Sequence, residues 1–226
     1  MKNNFNLQVS MGTIGALALL ASASFILYRF PGIDLFFARV LYTGNGQFLW
    51  SHTSWSWLID GPIDQFLKFG FLIAFVAYLT ACAMKAKFLQ DWHSRLIFVF
   101  ASIFISELLI INFILKNHWG RARPHQLIEF GGNAHFTPAW ERVHECLSNC
   151  SFTSGHAGMA ACLGLLVVLL PPRWRAPYLV FAVAFTTLAG FVRMAHGAHF
   201  FSDVVLSPLI VFATAMIVKD VLRLRL

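Results

Sequence analysis

Six apolar runs leave this chain few ways to fold. They fall near 11–29, 66–84, 96–115, 156–171, 176–193 and 203–218, and each approaches the roughly 20 helical residues that cross a hydrocarbon core. Inside a bilayer every backbone donor and acceptor must be paired without water, which a helix does within its own segment. The expected fold class is therefore all-α: a polytopic membrane protein, a six-transmembrane-helix bundle in one domain over 1–226. Composition agrees, with 58% hydrophobic and 12% charged residues against about 25% charged in ordinary soluble domains. A net charge of +7 does not point to nucleic acid, because no soluble basic face exists to bind it.

Charge between the runs orients the bundle. Lys85, Lys87 and Arg95 lie between the second and third runs, Arg173 and Arg175 between the fourth and fifth, and Lys219, Arg223 and Arg225 after the sixth. With Lys2 these mark a cytoplasmic side. The connections 30–65, 116–155 and 194–202 then share the opposite face. The first run has a second reading, since Lys2, the apolar stretch and Ala21-Ser22-Ala23 also resemble a signal peptide; removing it would move no motif. In 30–65, Trp50, Trp55 and Trp57 suggest a stretch lying at the headgroup level, as an anchor or as the border of a lipid site. Glu107 and Asn112 in the third run imply either an interhelical hydrogen bond or a proton path. Cys82 and Cys162 read as packing residues. Cys146 and Cys150, on the outer side, read as a disulfide or, with His144, as a zinc site.

Three polar clusters fall on that outer face. Lys116 and Arg123 flank a turn ended by Pro124. Thr153-Ser154-Gly155-His156 opens the fourth run, where unpaired N–H groups and the positive dipole end would receive an anion. Arg193 ends the fifth run, and His199 stands four residues before Asp203. On a helix that spacing lets the carboxylate accept the imidazole Nδ1–H and leaves Nε2 free to attack; Asp203 could equally cap the sixth run. Three cations at one site suit a phosphoryl group, whose transfer needs positioning and charge stabilisation above all.

These residues resemble the three-part signature of the type 2 phosphatidic acid phosphatase superfamily, integral membrane lipid phosphatases and soluble vanadium haloperoxidases. The resemblance implies that His199 is the nucleophile forming a phosphohistidine, that Asp203 orients it, and that His156 protonates the leaving alcohol and later activates water. Lys116, Arg123, Arg193, the Ser154 hydroxyl and the Gly155 N–H would hold the phosphate oxygens, and neither metal nor cofactor is implied. Thr153 and Val192 depart from the usual Pro and Ser; Thr153 could cap the fourth run in place of Pro. His196 has the wrong spacing for more than a supporting role.

The stretch from His118 through Glu129-Phe-Gly-Gly132, Phe136, Cys146 and Cys150 is similar to bacterial lipid A phosphatases that remove the 1- or 4′-phosphate, with a leaning toward 4′. That likeness implies lipid A or another phospholipid as the substrate, in the bacterial inner membrane with the site facing the periplasm. The same groups would serve on undecaprenyl pyrophosphate or phosphatidylglycerol phosphate. A non-catalytic lipid-binding or translocating protein would need the cations, but not His199 placed four before Asp203.

Overall fold

The computed structural model describes residues 9–51 and 58–224. Helix α1, Met11–Arg29, is capped by Ser10, whose hydroxyl accepts the Thr13 N–H. It runs along the last helix, where Thr13 Oγ1 donates to Met216 O and to Asp220 Oδ2 at 3.0 and 2.6 Å. A short helix α2, Gly32–Leu41, follows, then a two-stranded hairpin of β1, Tyr42–Gly44, and β2, Gln47–Phe48. Helix α3, Asp64–Ala83, turns outward exposed Phe66, Phe69, Leu72, Ile73 and Val76, as a lipid-facing helix does.

Helix α4, His93–Ile103, widens to i+5 hydrogen bonding over Phe104–Leu115 and ends at Lys116–His118. The wider turn lets Asn112 Nδ2 reach both the Glu107 carbonyl and its Oε1, at 2.7 and 2.8 Å. The partner of the fully buried Glu107 is thus on its own helix rather than across an interface. Helix α5, Gly155–Cys162, tightens to 3-10 geometry over Leu163–Leu169. Its small residues accept α4 closely: a Cβ on Gly158 would lie 2.3 Å from Glu107 Oε2. Helix α6, Pro172–Ala195, starts with Pro at its first position, and α7, Phe201–Val221, completes the bundle.

The protein is thus all-α and polytopic, but the count of six is approximate. Five helical stretches are long and apolar enough to cross a membrane, whereas Gly155–Leu169 is a shorter apolar helix. The 3-10 portion rises about 2.0 Å per residue, so the segment still reaches about 26 Å. Its neighbours α4, α6 and α7 make it the centre of the bundle. That placement explains its glycine and alanine content.

The connection between α1 and α3 packs onto the rest of the bundle. Helix α2 exposes Phe36 and Val40 while burying Asp34, Ala38 and Leu41, and the hairpin packs Phe48 against Gly197, where a Cβ would meet its ring at 2.4 Å. Trp50 donates its N–H to Ala195 O at 2.9 Å and sets its ring edge-on to Phe191. Trp50 is therefore docked on the α6 terminus. Trp55 and Trp57 lie outside the described residues.

Candidate active site

The three polar clusters meet at one end of the bundle. Lys116 closes α4, and the chain reverses at Gly120, whose φ of +72° suits glycine. A Cβ there would also sit 1.8 Å from the Val143 carbonyl oxygen, so only Gly lets this turn lie against the 140s. Lys116 Nζ donates to Asn149 Oδ1 at 3.3 Å, and Arg123 Nη2 donates to Asn149 O at 2.8 Å. Asn149 belongs to the loop closed by the Cys146–Cys150 disulfide. The thiols are thus spent on a covalent clamp beside the cations. Among the described residues no cluster of His, Cys, Asp or Glu is arranged to hold a metal ion.

The second cluster forms the first turn of α5. Ser154, not Thr153, is the cap: its Oγ accepts the Ala157 N–H at 3.4 Å, and its own N–H donates to Asp203 O at 3.2 Å. Thr153 is buried, and its hydroxyl lacks a hydrogen-bond partner. His156 Nε2 stands 3.6 Å from Asp64 Oδ2, the oxygen to which Lys68 Nζ donates at 2.5 Å. Gly155 sits against Lys116, its Cβ position 3.4 Å from Lys116 Cε.

In the third cluster the backbone departs from the expected helix. His199 precedes the first turn of α7, with Phe200 as the extended cap residue, so His199 and Asp203 are not on consecutive turns. Asp203 Oδ2 instead accepts the Phe200 N–H at 2.8 Å, the capping role left open by the sequence. The imidazole Nδ1 pairs with the Ser151 carbonyl at 2.8 Å and lies 3.8 Å from Asp203 Oδ2. A carbonyl only accepts, so Nδ1 carries the proton and Nε2 the lone pair. Ser151 Oγ donates to Asp203 Oδ2 at 2.5 Å; the carboxylate reaches the histidine through Ser151 and through space.

Nε2 of His199 is buried without a hydrogen-bond partner. Burial pushes this imidazole well below its ordinary value, and Arg193, Lys116, Arg123 and His156 push it the same way. It is a neutral, available base at physiological pH. In the unfolded chain it titrates at about 6.5. Below that pH the unfolded state binds the proton that the folded state refuses, so stability is lost as pH falls toward the folded value. Thermal melts at pH 8 and pH 5 are expected to give the lower midpoint at pH 5; equal midpoints would count against a buried neutral His199.

The largest feature absent from the sequence reading is the network behind Asp203. Arg121, two residues before Arg123 and fully buried, donates through Nη1 to Asp203 Oδ1 and Ser202 Oγ, each at 2.8 Å, and through Nη2 to Asp34 Oδ2 at 2.7 Å. Its Nε donates to Thr137 O at 2.9 Å, and its guanidinium lies over the Phe200 ring at 4.3 Å. Burial opposes its charge, but the Asp203 and Asp34 carboxylates outweigh that and hold Arg121 above its ordinary value. Burial raises the Asp34 carboxyl, while Arg121 pulls it down. The Ser202 N–H, the Ser202 hydroxyl and Arg121 all donate to Asp34, which is the bonding pattern of a carboxylate. A third cation between Lys116 and Arg123 is the available signal for Arg121; Asp34, Ser151, Ser202 and Asn149 carry none.

Comparison with known proteins gives this geometry its context. Residues 95–225 match the PAP2 superfamily. A Lipid A 4'-phosphatase of Rhizobium leguminosarum is 32% identical over 214 residues, covering 86% of this chain and 91% of that protein. The protein of the same name from Francisella tularensis subsp. novicida is 30% identical, covering 84% and 86%. The crystal structure of a transmembrane PAP2 type phosphatidylglycerolphosphate phosphatase from Bacillus subtilis matches with a TM-score of 0.52 at 17% identity, covering 95% of each chain. That last likeness is one of fold. With the three clusters gathered around a buried histidine, the chain is a membrane phosphatase that belongs to the PAP2 superfamily.

Proposed function

We propose that the protein hydrolyses a phosphate monoester on lipid A, the 4′ position being favoured, through a phosphohistidine intermediate at the periplasmic face of the bacterial inner membrane. The observation that carries the chemistry is His199, with its Nδ1–H held by Ser151 and its buried Nε2 within electrostatic reach of Arg193, Lys116 and Arg123. Nε2 attacks phosphorus as the P–O ester bond breaks, and His156 gives its proton to the departing alkoxide. Water then attacks the phosphohistidine, its proton passing to His156, and the P–N bond breaks to release inorganic phosphate. Lys116, Arg123, Arg193, the Ser154 hydroxyl and the Gly155 N–H stabilise the nonbridging oxygens. Asp64 Oδ2, 3.6 Å from His156 Nε2, faces the imidazole and orients it.

Lipid A as the substrate rests on the relatives of that name, about 30% identical over most of the chain. A lipid also suits the surroundings. An apolar groove of about 410 Å³ between α3 and α4 is lined by Phe71, Leu72, Phe75, Phe100 and Leu108. Lys68, which bonds Asp64, is also part of its lining.

Phosphate release by purified protein in lipid and detergent micelles with EDTA tests the proposal, offering lipid A, undecaprenyl pyrophosphate and phosphatidylglycerol phosphate separately. Selective release from lipid A is expected, with mass spectrometry of the product locating the lost group at 4′. Preferred release from either other lipid would overturn the substrate, and loss of activity in EDTA would overturn the chemistry.

A further inference from the structure

We infer that Asp34 is a positioning residue for the nucleophile: by compensating the charge of Arg121, it leaves Asp203 with a net negative charge directed at His199. The inference rests on His199 being the nucleophile, but not on which lipid is cleaved.

The buried cluster holds two carboxylates and one guanidinium, every member at most 1% exposed. Arg121 divides its fork between them, Nη2 to Asp34 and Nη1 to Asp203. Paired with Asp203 alone, the guanidinium would cancel the field that Asp203 casts on the imidazole 3.8 Å away. With Asp34 present, the cluster retains one negative charge.

His199 needs that charge. Its ring becomes positive when Nε2 bonds to phosphorus, and it does so in a setting where Arg193, Lys116 and Arg123 all oppose positive charge. Those cations are required for the phosphate oxygens, so compensation has to come from the Nδ1 side. Nδ1 is bonded to a neutral carbonyl, which leaves Asp203 and the charges behind it to supply the compensation.

Asp34 also fixes where α7 begins. Its Oδ1 accepts the Ser202 N–H at 2.7 Å and its Oδ2 accepts the Ser202 hydroxyl at 2.6 Å. The residue next to Asp203 is thereby tied to α2, on the first outer connection. Asp34 lies outside the residues 95–225 that match the superfamily. A mere clamp for α2 is the simpler alternative, and it makes a different prediction: lower stability with unchanged turnover.

The test uses the full-length protein in detergent with para-nitrophenyl phosphate, a soluble monoester that reports on the site whatever the lipid. Folding is followed by gel filtration and thermal melting. Asp34→Asn keeps the shape and removes the charge. Loss of one charge-assisted contact is expected to lower kcat by about 10- to 100-fold, with KM within about threefold. A folded Asn variant with wild-type kcat, or one that shows only a lower melting midpoint, would overturn the role.

The double variant Asp34→Asn/Arg121→Gln leaves no uncompensated guanidinium and returns the full charge to Asp203. It is expected to regain at least about fivefold in kcat over Asp34→Asn, as coupling between contacting residues requires; no gain would overturn the inference. If Asp34→Asn is not recovered folded, the double variant is compared directly with wild type. A kcat within about 100-fold supports the role and a deeper loss overturns it. His199→Ala is run alongside. If that variant keeps wild-type turnover, the nucleophile assignment fails and this inference fails with it; if it is inactive, the Asp34 result stands alone.

Discussion

His199→Ala is expected to lower phosphate release by about 10⁵-fold or more, the scale on which an enzyme loses kcat when its nucleophile is removed. The size of the effect follows from the site. Nε2 is the buried, unpartnered nitrogen at the meeting point of the clusters, and among the described residues no second imidazole shares that position. His196 closes α6, with its backbone N–H on Val192 O, and His156 faces Asp64. Rapid quenching of the wild type should trap a base-stable, acid-labile phosphoenzyme that His199→Ala lacks. Substrate binding should survive, since Lys116, Arg123 and Arg193 remain. Full turnover by a folded His199→Ala protein would sink the covalent mechanism.

Arg121→Ala is expected to be the most destabilising single change at the site. It removes the guanidinium that bridges two buried carboxylates and leaves Asp34 and Asp203 uncompensated beside each other. Breaking a buried pair from one side costs about 3–5 kcal/mol, enough to lower a melting midpoint by about 10 °C in a chain of this size. The guanidinium also packs over Phe200, so lysine, with a point charge and no planar fork, should rescue little. A melt within about 2 °C of wild type would show that the Arg121 network does not hold these elements together. The two experiments separate chemistry from architecture: the first should leave folding intact and the second should not.

Much of this was legible from residue order. The apolar runs placed the spans to within a few residues, because a bilayer dictates the length of what crosses it. The expected 11–29 matches α1, and the run near 156–171 corresponds to a helix ending at Leu169. The three clusters were readable as one site because each stood at a span end on one side. Three details were not. The His199 to Asp203 spacing suggested a shared helical face, yet the helix starts between them. Thr153 looked able to cap α5, yet the cap is its neighbour Ser154. The contact of Trp50 with the end of α6 had no mark in residue order.

By itself the sequence determined that this chain crosses a membrane as helices and gathers its three polar clusters on one face, since hydropathy and local spacing are properties of order along the chain. Only the tertiary structure decided what stands behind His199. Asp34 and Arg121 are 87 residues apart, and Asp34 and Ser202 168 apart. A lone acid in an amphipathic stretch carries no mark of its partner. Its meaning comes from burial, because removing it from water demands donors, and the fold alone brings those donors from α7 and from the turn after α4.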